Sequence, residues 1–240
     1  MFKNEKIKSF LYGLKMSIPV IIGFIPIAIA FAIMAADAGL SAFESVAMSV
    51  MVFAGASQMM AVEMIAENAG YIQIVIVTFI MNFRHFIMSA CVFEKMNRNE
   101  KNMSLPMKLL CGFGLTDESF AIFTTTDVSK CNKWYFLGIL LGTYSSWVVG
   151  TVIGTLLGAV LPGVVSDSLG IAIYAMFIAL LVPKIKGNFR LWAVVIITAL
   201  INCALRTFMD SNWSLIASTL IGAQIGVFIV EDEEGEEVSL

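Results

Sequence analysis

The chain has 240 residues, 59% of them hydrophobic and only 14% charged, with a mean hydropathy of +0.87. These proportions lie well outside those of a soluble domain, which excludes a water-soluble enzyme or a nucleic-acid-binding module and marks an integral membrane protein. The formal charge of −3 comes from the end VEDEEGEEVSL, whose six acids read as an acidic disordered tail over 231–240; the rest, 1–230, reads as one transmembrane domain with a basic balance.

The opening MFKNEKIKSFLYGLK carries Lys3, Lys6, Lys8 and Lys15, and no small-residue cleavage site follows the first apolar run. It reads as a retained cytoplasmic leader. Apolar runs then occur at about 16–36, 44–62, 72–93, 105–126, 134–161, 169–183, 191–205 and 213–230. Pro19 and Pro26 in the first each remove a backbone donor and predict a distortion there. The second is interrupted by GASQ at 55–58, and the fourth contains Lys108, Gly112, Gly114 and the adjacent acids Asp117 and Glu118. Neither resembles an ordinary lipid-facing span.

Loop charge separates two topologies. If all eight runs cross, nine Lys and Arg lie on the side of the N-terminus and five on the other; if the second and fourth runs enter and return on one side, the division is thirteen against Arg206 alone. The fold class is therefore an all-α polytopic helical bundle with six full crossings, two re-entrant or broken segments and both termini cytoplasmic, with eight plain crossings as the alternative. Irregular backbone at membrane depth is tolerated only inside protein or around a cavity, so the broken segments are expected to border the functional site. GASQ resembles GAQ at 222–224 at an offset of 167, while Arg84 would match Arg206 at an offset of 122. The offsets disagree, and no internal repeat is legible.

The stretch MNFRHFIMSA at 81–90 holds Arg84 and the only histidine, His85, among Ile, Val, Phe and Met. Arg84 lies about 15 Å along a helix from the first flanking charge, Glu94, near the middle of a hydrocarbon core about 30 Å thick. A charge there costs about 2.5–3.5 kcal/mol on insertion scales. At about 100° per residue, Thr78, Asn82, His85 and Ser89 form one polar stripe, and Arg84 points elsewhere. Its natural partner at similar depth is Asp117 or Glu118. The pair either fixes packing or serves the site; His85 is either a hydrogen-bonded interior group or a proton carrier. Ser57 and Gln58 are either small polar contact residues or part of the cavity. Ser57, His85 and Asp117 also form the parts of a hydrolytic triad, but GASQM lacks the second glycine of a G-x-S-x-G elbow. The cysteines at 91, 111, 131 and 203 have no C-x-x-C pairing and read as packing residues, with no metal or cofactor implied. No G-x-x-x-x-G-K-S/T signature occurs, so the leading reading is a secondary transporter, with a channel for small solutes as the alternative.

Three stretches, VFAGASQMMA at 52–61, MNFRHFIMSA at 81–90 and LTDESFA at 115–121, together with GFIPIAIAFAI at 23–33, resemble the AzlC family. Phe31-Ala32 stands where that family more often has Phe-Gly, and Met59 where an aromatic is common. The resemblance implies the large subunit of a two-component exporter of branched-chain amino acids in the cell membrane, working with a small hydrophobic AzlD-type subunit. A zwitterion with an aliphatic side chain suits the residues at hand. A half-helix N-terminus at GASQ or Arg84 would meet its carboxylate, and Asp117 or Glu118 its ammonium.

Overall fold

A computed structural model describes residues 2–98, 103–158, 178, 181–182 and 185–229, and no strand occurs among them. The expected segment at 169–183 lies mostly, and the acidic tail from 231 wholly, outside the described residues. The chain divides into two compact units, one of residues 1–68 and 77–173, the other of 69–76 and 174–240.

The first unit is built on a close parallel pairing. Helix α1 (Phe2–Met16) passes into α2 (Ile18–Asp37), and backbone bonds from Ser17 to Gly13 and from Ile21 to Ser17 carry the ladder across the junction. Pro19 sits in the first turn of α2, where its missing N–H costs little, and the helix continues through Pro26. Beside them runs α9 (Lys133–Gly158) in the same direction: Tyr12 stacks on Tyr135 at 5.5 Å, and Phe24 and Phe31 meet Trp147 at 5.5 and 6.1 Å. Small residues permit the approach. A Cβ on Gly150 would lie 2.7 Å from that of Ala28, and one on Gly154 2.7 Å from that of Ala32.

Two interrupted segments pack on this frame. In the first, α3 (Ala42–Met51) starts from a reciprocal cap between Ser41 and Glu44 and ends before Phe53, and α4 starts anew over Gly55–Ala66. Phe53 has φ of +43°, a left-handed conformation that costs a bulky residue about 1–3 kcal/mol. Gln58 Nε2 donates to Ser49 Oγ at 3.4 Å, although nine residues of unbroken helix would separate them by about 13 Å. The chain has turned back. In the second, α7 (Leu105–Phe113) stops at Gly114 and α8 runs over Asp117–Thr125.

The two breaks are approached from opposite ends of α9. Helix α3 descends from the level of Thr151, to which Ser49 is hydrogen-bonded at 2.8 Å, and Tyr144 Oη donates to Val50 O at 2.9 Å. Helix α8 leaves its break toward the start of α9, where Phe123 packs on Tyr135 and Phe136 and Thr126 bonds Tyr135 Oη. Between the interruptions in sequence, α5 (Tyr71–Asn82) and α6 (Arg84–Asn97) form a nearly continuous 27-residue apolar helix broken at Phe83. Lys95, near its end, donates to the Thr124 and Thr126 carbonyls, so α6 and α8 finish together at the start of α9. The breaks themselves touch: Phe53 lies 6.3 Å from Phe113, and Tyr144 packs on both at 5.1 and 5.9 Å. Asp37 and Asn97, which end α2 and α6, are 60 positions apart, as are Phe53 and Phe113. A crossing helix followed by a broken segment thus occurs twice, in opposite directions. This repeat was not legible in the sequence because it lies in the positions of the breaks and not in residue identity.

In the second unit α10 (Phe189–Leu205) and α11 (Ser211–Ile229) form an antiparallel pair, with Gly222 against Thr198 and Ser214 Oγ within 3.4 Å of Asn202 Oδ1. Among the described residues, Ile18–Asp37, Tyr71–Asn97 and Lys133–Gly158 are long and apolar enough to cross a membrane; Phe189–Leu205 and Trp213–Ile229 are shorter apolar helices. Of the cysteines, Cys111 and Cys131 are buried as packing residues, whereas Cys91 and Cys203 are exposed.

The frame makes a direct prediction. Gly150→Leu drives a side chain into Ala28 and the Ile25 carbonyl and is expected to cost at least the 1–3 kcal/mol typical of overpacking. Gly23→Ala, in the same helix pair but with open space around it, is expected to keep wild-type yield. Fluorescence-detected size exclusion of detergent extracts measures both; equal yields would remove the glycine contact as the basis of the frame.

Candidate functional site

Each break satisfies part of its backbone by side-chain hydrogen bonds, and in doing so gathers polar groups inside an apolar bundle. At the start of α4, Gln58 Oε1 accepts from Ala54 N at 3.1 Å and Ser57 Oγ donates to Ala54 O at 2.9 Å. These bonds replace the ladder that the Phe53 turn interrupts. Gln58 then reaches Ser49, Ser49 reaches Thr151, and Thr151 Oγ1 bonds back to Trp147 O at 2.9 Å. Ser49, Ser57, Gln58 and Thr151 are all buried. Gly55 lies against the Trp147 ring, where a Cβ would come within 2.7 Å. The Trp147 indole N–H is buried and has no hydrogen-bond acceptor among the described residues.

At the second break Thr116 caps α8: its hydroxyl accepts from Ser119 N at 3.2 Å, and Ser119 Oγ accepts from Thr116 N at 2.8 Å. Asp117 and Glu118 therefore occupy the first turn of a helix, where the partial positive charge of its free N–H groups favours acids. Sequence reading found the acids but missed Thr116 and Ser119. The signal was the T-x-x-S spacing, read as part of a longer apolar run.

The interruption of α5–α6 at Phe83 joins the two breaks. On one side of it Asn82 Nδ2 donates to Ser57 Oγ at 3.0 Å. On the other, Arg84 Nη1 lies 2.9 Å from Asp117 Oδ2. Of the two acids considered for Arg84, the partner is Asp117. His85 Nδ1 is 3.0 Å from the Asn82 carbonyl, a bond within its own helix, and its ring is half-buried. Thr78, Asn82, His85 and Ser89 are all half-buried, whereas Phe79, Phe83, Phe86 and Ile87 are 53–66% exposed. The Arg84 and Asp117 side chains keep 42% and 20% of their surface uncovered.

All seven residues singled out in the sequence, Ser57, Gln58, Asn82, Arg84, His85, Asp117 and Glu118, lie on the elements that flank the three interruptions. Ser57, His85 and Asp117 do not form a relay. The serine hydroxyl donates to Ala54 O, the imidazole bonds Asn82 O, and the carboxylate faces Arg84. Ser49 and Thr151 were not found from sequence, because a buried Ser or Thr in a membrane helix has no distinguishing pattern. Only the crossing of α3 over α9 brings them together.

Removing one partner of a fully buried ion pair costs about 3–5 kcal/mol, while replacing both is often tolerated; with Arg84 42% uncovered the cost here is expected to be smaller. Arg84→Met and Asp117→Asn are each expected to lower folded yield severalfold, and Glu118→Gln much less. Arg84→Met combined with Asp117→Leu is expected to restore yield. A yield lost equally with Asp117→Asn and Glu118→Gln would contradict the assigned pairing.

Comparison with known proteins shows the family. The family model described as AzlC protein matches residues 19–161, which include α2, the two breaks, the Phe83 interruption and α9. A membrane protein of Archaeoglobus fulgidus is 33% identical over 190 residues, covering 78% of this chain and 81% of that one. The inner membrane protein YgaZ of Escherichia coli is 34% identical over 148 residues, and the branched-chain amino acid transport protein AzlC of Bacillus subtilis 29% over 136. These two alignments cover 60% and 56% of this chain and 59% and 52% of the relatives. No solved structure matches. With the family model spanning more than half of the chain, over the very segments that carry the breaks, the chain is a helical membrane protein that belongs to the AzlC family.

Proposed function

We propose that the chain is the large subunit of a two-component secondary transporter that exports branched-chain or similarly hydrophobic amino acids in exchange for protons. The observation that carries this reading is the convergence of three helix interruptions, two of them entered from opposite ends and meeting at Phe53 and Phe113. Inverted repeats with broken helices at the midplane are a recurring construction of secondary transporters, because the half-helix ends bind polar substrate groups and each repeat opens to one side. The name of the Bacillus subtilis relative supports the substrate class.

The chemistry divides by charge. The unpaired N–H groups at the start of α4 and the Arg84 guanidinium suit a carboxylate; Asp117 and Glu118 suit an ammonium. Phe53, Phe113 and Tyr144 provide an apolar wall for an aliphatic side chain. A substrate carboxylate competing for Arg84 would release Asp117 to meet the ammonium, so occupancy and the ion pair are coupled. In that cycle the α3–α4 segment gates one side and the α7–α8 segment the other. In this reading the N-terminus and the start of α9 face the cytoplasm, as the lysine bias favours.

His85 is the proton carrier in this reading, since its reference pKa of about 6.5 is the only side-chain value here in the physiological range, and Asn82 orients it. In everted vesicles, an imposed proton gradient is expected to drive uphill movement of valine, leucine or isoleucine. Only downhill flux, indifferent to pH and voltage, would instead indicate a channel. His85→Gln keeps hydrogen bonding and removes titration, so it is expected to lose concentrative export while retaining folded yield. Unchanged proton-driven export with an unchanged pH profile would move the proton to Asp117 or Glu118.

The exposed row Phe79, Phe83, Phe86 and Ile87 beside a partly uncovered Arg84 supports a protein partner at this face, because a guanidinium at that depth is costly against lipid. A small AzlD-type subunit fits that role. With Phe86→Cys, a thiol-directed photo-crosslinker attached to the new cysteine is expected to capture that subunit when the two are co-expressed, and the chain expressed alone is expected to export poorly. Full export without any second subunit would refute the two-component arrangement.

A further inference from the structure

Away from the midplane, the start of α9 gathers basic and aromatic side chains from three elements that are distant in sequence. Lys6 lies 5.5 Å over the Trp134 ring and Lys130 5.7 Å over the Tyr12 ring. Between α1 and the turn at Val128–Lys130 is a cavity of about 310 Å³ lined by Lys8, Ser9, Tyr12, Ser129, Lys130, Asn132 and Tyr135. The lining contains two ammonium groups, two serine hydroxyls and a carboxamide, and no carboxylate. The nearest acid to Lys130, Asp127, is 3.8 Å away with both side chains largely exposed, which leaves the ammonium available to a better anion.

We propose that this cavity binds the phosphate of an anionic phospholipid headgroup. Its inner wall is held by contacts of its own: Asn132 Oδ1 accepts from Tyr135 N at 2.9 Å, its amide lies 3.3 Å from Ser9 Oγ, and Tyr12 and Tyr135 are stacked. Lys8 and Lys130 bring their charge from distant parts of the sequence to one pocket, where each can make a charge-assisted hydrogen bond to a phosphate oxygen. A lipid, and not a free phosphate, is favoured by the exposed apolar residues that adjoin the lining in sequence. Ile7 and Leu11 on α1 are 50% and 54% exposed beside Lys8 and Tyr12, and Val128 is 38% exposed beside Ser129. Acyl chains would lie on these side chains while the headgroup enters the cavity. Clustered lysines with tyrosine and tryptophan are also the composition of a membrane interface, and by lysine bias this end faces the leaflet that carries anionic lipid. The site is independent of the transport reading, since none of its residues belongs to the midplane constellation.

Native mass spectrometry of the purified full chain tests it, with phosphatidylglycerol and phosphatidylcholine as probes and inorganic phosphate as competitor. Wild type is expected to retain phosphatidylglycerol in preference to phosphatidylcholine. Lys8→Gln with Lys130→Gln is expected to weaken phosphatidylglycerol binding about thirtyfold, from the usual worth of two interfacial lysines. Lys15→Gln with Lys108→Gln removes the same charge without touching the lining or the Lys6–Trp134 and Lys130–Tyr12 contacts and is expected to change binding little. Should the first pair fail to fold, Ser129→Asp in the exposed turn places a like charge in the cavity and is expected to abolish the preference. Equal losses in the two lysine pairs would reduce the effect to general surface charge and overturn the site. Displacement by millimolar inorganic phosphate alone would reassign it to a soluble anion and overturn the lipid assignment.

Discussion

A peptide group that leaves a helix inside hydrocarbon has no water to turn to, and its unsatisfied donor or acceptor costs several kcal/mol. The two breaks meet this constraint with side chains: Gln58 and Ser57 take over the Ala54 backbone, and Thr116 and Ser119 cap α8. Burial of Phe53 offsets the strain of its left-handed backbone, with Phe113 and Tyr144 holding the ring from two other elements. In the proposed mechanism the polar residues of the site are therefore structural and chemical at once. The groups that satisfy the broken backbone are the same ones that a substrate would approach.

What surrounds the breaks is stiff. Contact between α2 and α9 through Ala28, Ala32, Gly150 and Gly154 leaves little room for sliding, because interiors packed this closely respond to displacement by steric overlap and not by gradual yielding. By contrast, α7 and α8 are nine residues each, joined by Gly114, Leu115 and Thr116, and α3 has ten. In the proposed mechanism these short helices on a rigid support are the parts that move, and the Arg84–Asp117 pair connects one of them to the long α5–α6 helix. In the proposed mechanism, breaking and remaking that pair links binding to movement.

The inverted repeat gives this arrangement a second meaning. At an offset of 60, Ser57 and Gln58 correspond to Asp117 and Glu118, so the first turns of the two inner half-helices hold neutral polar groups in one repeat and acids in the other. A symmetrical scaffold has acquired an asymmetric lining. That asymmetry suits a zwitterion, whose two ends need opposite electrostatics within a few ångströms of each other.

The residues alone determined the membrane class, the existence of two segments unlike ordinary spans, and the seven polar positions that flank the interruptions. Each follows from local cost: charge and irregular backbone within apolar sequence are too unfavourable to occur without purpose, so Arg84, Asp117 and GASQ stand out without any coordinates. The family resemblance was legible for the same reason, since its motifs are these costly positions. Only the tertiary structure decided which acid meets Arg84, because two adjacent residues at a helix start differ only in direction, and direction depends on how α8 lies beside α6. It alone brought Ser49 to Thr151 and Lys8 to Lys130, pairs more than a hundred positions apart whose members look ordinary in isolation. It also decided the repeat, because opposite chain directions impose no common residue pattern; shared break positions become visible only when helices that run in opposite senses are packed against one α9.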